Sequence, residues 1–225
     1  MLDQKTFIQN IVEFPQLKRT TINGKRHYHR EGDISRAYPS VTSITSLKSR
    51  KSIQEWRARV GEAEANRITT KATRQGTKAH ALIEHYLVSD LLPESMPNEY
   101  ELFKMFKAQA DEHIDNIRTI EGQMMSDYLR CAGTVDLIAD YDGKISIIDW
   151  KTSSRPKKEE WVTGYFMQES AYAVMFEENT NIPVSQLVTI VACSTGEVQV
   201  FKTNRDKWIG EFIRYRDQYE AENND

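Results

Sequence analysis

The sequence predicts an α/β fold: one domain with a central mixed sheet, helices on both sides and an N-terminal helical lobe. Three observations carry this expectation. The run from Gly133 to Thr152 is rich in Val, Leu and Ile and is interrupted by Asp142-Gly143, the dipeptide that a two-residue type I′ hairpin turn prefers. Further β-prone runs at 117–126, 187–193 and 197–202 alternate with segments of helical apolar spacing. A chain of 225 residues is long enough for one sizeable core. The expected division is a single unit, 1–225, with a hairpin and helical lobe over 1–116, a catalytic core over 117–220 and a frayed tail over 221–225.

In chain order, Phe7 to Phe14 reads as a short first helix ended by Pro15. Asn23-Gly24 lies between two β-prone runs and predicts a hairpin, with His27 and His29 as exposed strand residues on one face. Ser40 or Thr42 then caps a helix. Gly76 to Leu87 is helical through Ala79, Leu82, Ile83, Tyr86 and Leu87, which places His80 and Glu84 one turn apart on one face. Leu91 to Pro97 breaks the chain before an amphipathic helix over 98–116. Ile117 to Ser126 is the first strand of the main sheet, and Glu121 lies on it. After the central hairpin, Ser153 to Lys158 is a polar basic loop. The helix Glu159 to Glu177 carries Gln168 and Tyr172 at i and i+4, so that they project together. A strand pair turning at Thr195-Gly196 and a closing helix over 205–220 complete the chain.

The hairpin carries charge in an apolar setting. If Tyr141 pairs with Lys144, then Ile138 faces Ile147, Leu137 faces Ile148, and Asp136 faces Asp149 with Cβ atoms about 5 Å apart. Lys151 lies two residues further on the same face. Like charges directly opposite one another destabilise a strand pair, and the apolar residues on both faces argue for burial. A partly buried carboxylate pair shares a proton or holds a cation. An all-oxygen pair without nearby cysteine favours a hard ion, Mg²⁺ or Mn²⁺, over zinc. The competing reading is a solvated hairpin whose acids face water.

The net charge of −3 does not mark the whole chain as a nucleic-acid binder. It conceals a dipole. From Lys48 to Lys78 nine basic residues stand against three acids, and from Glu84 to Glu121 nine acids stand against three bases. The basic segment (Arg57, Arg59, Arg74, Lys78) and the loop residues Arg155, Lys157 and Lys158 are the candidate phosphate contacts. Two cysteines, Cys131 and Cys193, each within an apolar run, read as core thiols of a reducing compartment and leave no four-cysteine iron–sulfur cluster. No run of 18 apolar residues argues for a membrane span, and neither a signal peptide nor a transit peptide is legible at the start. A soluble cytoplasmic protein is the expectation.

The block Gly133-Thr-Val-Asp136, then Asp149-Trp-Lys151-Thr152 on the adjacent strand, resembles the PD-(D/E)XK nucleases, and in particular their RecB-type exonuclease branch, which includes mitochondrial genome-maintenance and phage exonucleases. Pro39-Ser-Val-Thr42, Gly76-Thr-x-x-His80 and Gln168-x-x-x-Tyr172 follow the same order, so the resemblance runs from Pro39 to Tyr172. It implies a restriction-endonuclease-like core and metal-dependent hydrolysis of DNA. His80, Asp136, Asp149 and the backbone carbonyl of Trp150 would be ligands to Mg²⁺ or Mn²⁺. Lys151 would orient or deprotonate water or neutralise phosphoryl charge, Glu121 would place water or a second metal, and Gln168 and Tyr172 would place the strand. Thr152 and Glu84 would support these groups from behind. The implied activity is an exonuclease on free ends of single-stranded DNA in replication, recombination or repair, acting alone or with a helicase or recombination partner in a bacterial or virus-infected cell. The alternatives are a structure-selective endonuclease on the same core and a non-catalytic DNA-binding or assembly protein, and nothing in the motifs rejects RNA.

Overall fold

The computed structural model describes residues 5–223. Two sheets organise it. A small antiparallel sheet holds β1 (Leu17–Ile22), β2 (Lys25–Arg30) and β3 (Tyr38–Pro39) in that order. The main sheet has the order β4 (Ile114–Ser126), β5 (Cys131–Tyr141), β6 (Lys144–Ser153), β7 (Gln186–Cys193), β8 (Val198–Asn204). It is mixed because α4 (Glu159–Thr180) carries the chain from β6 over to a parallel partner, β7, while the other neighbours are antiparallel. Helices cover both faces. α2 (Glu62–Leu87) and α3 (Pro97–His113) pack their apolar side on Leu137, Ile148, Trp150 and Ile190. α1 (Val41–Val60), α4 and α5 (Arg205–Ala221) close the opposite face over Ile138, Ile147 and Leu187. No helix among the described residues is long and apolar enough to cross a membrane.

The register expected from Asp142-Gly143 is the one observed: Tyr141 pairs with Lys144, Ile138 with Ile147 and Leu137 with Ile148. Asp142 and Gly143 have the positive φ that a type I′ turn needs, 51° and 73°. The ladder stops there, short of Asp136 and Asp149. Instead the Trp150 N–H donates to Asp136 Oδ2 at 3.0 Å, so the Asp136 carboxylate closes onto the β6 backbone in place of a regular pair. The Asn23-Gly24 hairpin also forms, pairing Ile22 with Lys25. Ser40 caps α1, its Oγ accepting from Ser43 N at 3.1 Å.

Two expectations fail. Residues 7–14 form no helix. They run extended beside β4, where Asn10 N donates to the Ile117 carbonyl and Ile117 N to the Ile8 carbonyl, both at 2.7 Å. Val12 and Phe14 point inward while Ile11 and Glu13 face solvent, a period of two that eight residues before a proline can also satisfy. The helix expected over 98–116 ends at His113 and the strand begins at Ile114. The cause is an irregularity in β4 between Asp115 and Thr119 that restores pairing of Ile114 with Tyr141. Apolar residues at 114 and 117 fit either element, so spacing alone does not place that boundary.

Candidate active site

The sheet aligns three acids. β4 pairs Ile120 with Leu137 and Gly122 with Val135, which sets Glu121 opposite Asp136, and Asp149 follows on β6. Glu121 has φ 49°, a left-handed conformation unusual for a non-glycine residue within a strand. α2 lies across this row and supplies His80, whose ring stands edge-on to Phe106 with centroids 6.4 Å apart. Ligand atoms of His80, Glu121 and Asp136 all lie within 4.8 Å of one another, and His80 Nδ1 is 3.6 Å from Asp136 Oδ2.

Asp149 stands outside that trio. It is buried, forms an ion pair with Lys151, and its Oδ1 accepts from Gln168 Nε2 at 3.2 Å. The expected set of His80, Asp136 and Asp149 is thus drawn together only in part, with Glu121 in the place given to Asp149. Asp149 is instead paired with Lys151, which offsets its charge. The Trp150 backbone lies near His80. Glu84 borders the same cavity, and Tyr172 is buried against Gly133. Thr152 lies on the other side of β6, where a Cβ on Gly76 would stand 3.4 Å from its Oγ1, so the glycine seats α2 close to the strand end.

The electrostatics follow from burial. Burial, then Asp136 and Glu84, push the Glu121 carboxyl up to about 8, although the residue as a whole is exposed. Burial lifts Asp149 to about 6, with Lys151 opposing, and raises Asp136. Burial draws His80 down, which keeps the imidazole neutral and its lone pair free for a cation. For Lys151 burial acts downward, but Asp149 and Asp136 outweigh it and the ammonium is held protonated. One imidazole and two carboxylates, crowded and short of positive charge, fit a divalent cation.

A cavity of about 570 Å³ opens over this row, lined by His80, Glu84, Glu121, Asp136, Lys151, Gln168 and Tyr172, and also by Arg26, Tyr28, Ser40 and Thr42. None of Arg57, Arg59, Arg74, Lys78, Arg155, Lys157 and Lys158 lines it. Arg57 is taken up by Glu62, and Lys157 and Lys158 lie over the rings of Tyr165 and Trp161. The sequence does not single out Arg26, because the chemistry-bearing residues of β2 are His27 and His29, which alternate to the other face. The signal was there, since Tyr28 is an aromatic of the same parity as Arg26. Also unforeseen is Glu169, fully buried on α4 and hydrogen-bonded to Thr189, the β7 partner of Asp149. A larger cavity, about 810 Å³, lies on the far side of α2 and holds Thr152 but none of the carboxylates of the row.

Residues 105–221 match the PD-(D/E)XK nuclease superfamily. Mitochondrial genome maintenance exonuclease 1 of Homo sapiens is 29% identical over 133 residues, covering 53% of this chain and 38% of that protein. The Xenopus tropicalis protein of the same name is 26% identical over 174 residues, covering 70% of this chain and 49% of its own length. The chain therefore spans less than half the length of these relatives. A crystal structure of an exonuclease candidate from Eubacterium rectale superposes with a TM-score of 0.42 at 11% identity, over 65% of this chain and 68% of the other.

Proposed function

Because the chain belongs to the PD-(D/E)XK nuclease superfamily, we propose that it is a metal-dependent deoxyribonuclease that hydrolyses phosphodiester bonds from free ends of single-stranded DNA. The observation that carries this reading is the approach of His80, Glu121 and Asp136 to within 4.8 Å beside the Lys151–Asp149 pair, in one open cavity. The names of the relatives, both exonucleases of genome maintenance, support the choice of DNA and of free ends.

His80, Glu121 and Asp136 would hold Mg²⁺ or Mn²⁺, with the Trp150 carbonyl close by. Such an ion supplies Lewis acidity toward a phosphoryl oxygen and acidifies bound water. The chain does the rest. Gln168 fixes Asp149, and Asp149 keeps Lys151 charged and aimed into the cavity. A lysine held protonated in this way is a poor base, so its role is to offset charge on the phosphoryl oxygens, not to take a proton from water. Tyr172 packs on Gly133 and keeps the strand carrying Asp136 at its distance from α4.

The test is a time course on labelled linear single-stranded, linear double-stranded and circular single-stranded DNA with Mg²⁺, Mn²⁺ or EDTA, with Asp136→Asn alongside. Cation-dependent loss of the linear single strand with the circle spared is expected. Cutting of the circle replaces the exonuclease reading by an endonuclease, and no cutting by a folded protein in either metal refutes catalysis.

A further inference from the structure

The catalytic cavity is poor in positive charge for a site that receives a polyanion. Glu84, Glu121 and Asp136 line it, and the charge of Lys151 is shared with Asp149. The other cation in its lining is Arg26 on β2. Its neighbours are occupied: Arg30 lies 3.7 Å from Asp127, Arg36 3.8 Å from Asp33, and Lys25 stacks 5.0 Å from the Tyr219 ring centre. The Arg26 guanidinium has no ion pair or side-chain hydrogen bond among the described residues. Its backbone is nevertheless fixed, paired with Thr21 and accepting at its carbonyl from Ser40 N at 2.9 Å. A rigid backbone with an uncommitted guanidinium is the arrangement that phosphate recognition uses.

Arg26 also stands at a junction. A second cavity, about 670 Å³, shares Arg26, Ser40 and Thr42 with the first and continues along α1 past Ser43, Ser46 and Arg50. Hydroxyls and cations in a row suit a sugar–phosphate backbone. Within the second cavity Arg50 is taken up by Glu222 at 2.8 Å, so Arg26 carries the free charge at the junction.

We propose that Arg26 binds a substrate phosphate next to the scissile one, and that the strand leaves the catalytic cavity past Arg26 along the groove between β2 and α1. The proposal rests on the nuclease reading for its substrate. The phosphate is an internal diester or the terminal monoester of the strand, and both present the same oxygens to a guanidinium.

Arg26→Ala and Arg26→Lys are compared with the parent by fluorescence anisotropy on 5′-hydroxyl, 5′-phosphorylated and circular single-stranded DNA. Binding is read in EDTA, and with Mn²⁺ in the Asp149→Asn background. Arg26→Ala is expected to melt like the parent, to bind about tenfold more weakly, and to lower the slope of log affinity against log salt by about 0.7. Arg26→Lys recovers the salt slope and part of the affinity. A loss that includes the circle assigns an internal diester, and one confined to the 5′-phosphorylated strand assigns the terminal phosphate. Unchanged affinity and slope on all three DNAs overturn the proposal. A parent protein that binds but cleaves nothing refutes the nuclease reading while the binding comparison still decides the role of Arg26, and one that binds no DNA overturns both.

Discussion

Replacing Gly133 by alanine tests how tightly the metal-side strand is packed on α4. Gly133 lies on β5, paired with Met124 and three residues before Asp136. A Cβ there would stand 2.8 Å from the Tyr172 hydroxyl oxygen, 2.9 Å from its Cε1 and 3.3 Å from its Cζ, where ordinary contact begins at 3.4 Å. The ring must therefore retreat by about half an ångström against close packing, because Tyr172 is 2% exposed and set in the core of α1, α4 and α5, with open space only on its cavity side. Overpacking of this kind costs about 1–3 kcal/mol, and exchanging glycine for alanine returns about 0.5–1 kcal/mol of backbone entropy. The net loss is about 0–2.5 kcal/mol and centres near 1 kcal/mol, or roughly 2–4 °C in Tm for a domain of this size. Urea and thermal denaturation of Gly133→Ala, Tyr172→Ala and the double variant measure it as a cycle. Tyr172→Ala empties the space, so the added methyl becomes close to neutral there. An equal penalty for Gly133→Ala with and without the ring would refute the argument, since the cost would then lie in the backbone.

Two further outcomes follow from the charges. Asp149→Asn keeps the volume and the hydrogen bond from Gln168 but removes the counter-charge of Lys151, so single-turnover cleavage falls at least about 100-fold and stability falls as well, because a half-buried ammonium loses its partner; cleavage at the parent rate would remove Asp149 from the mechanism. The carboxyls of Glu121 and Asp149, raised to about 8 and about 6, hold protons in the folded state that the unfolded chain releases near pH 4. Stability of the metal-free protein therefore falls as pH rises from about 4 toward 8, whereas cation binding requires the deprotonated forms. The increase in Tm on adding Mn²⁺ is accordingly larger at pH 8.5 than at pH 6, and equal increases would refute the assignment of Glu121 to the cation site.

Much of this was legible because local chemistry over-determined it. Asp142-Gly143 admits one turn type, that turn admits one register, and the register brings Asp136 and Asp149 to the same end of the hairpin. Ser40 caps a helix for a reason that acts within four residues. What the sequence hid depends on distant partners. The stretch 7–14 becomes extended only because the irregular part of β4 offers it hydrogen bonds at Ile117. The path of the charge was hidden for the same reason. Basic residues clustered in sequence from Lys48 to Lys78 are partly spent on Glu62, Glu64, Glu211 and Glu222, while a single arginine on the small sheet reaches the cavity because Ser40 and Arg26 meet in space.

The row of acids shows why the strand order matters to the chemistry. Three carboxylates side by side across β4, β5 and β6 repel one another, and each is relieved differently. Asp149 takes Lys151, Asp136 accepts the Trp150 N–H, and Glu121 retains a proton to about 8. Only the first has a full counter-ion. The remaining demand for positive charge is therefore concentrated at Glu121 and Asp136, beside the neutral imidazole of His80. Glu121 reaches that point through a backbone conformation at φ 49° followed by Gly122, where any Cβ would strike the Thr119 methyl. A side chain at position 122 would require Thr119 to turn its methyl away or the strand to shift beside Glu121. The glycine thus lets Thr119 keep its place next to the residue that carries the Glu121 carboxylate toward the cation site.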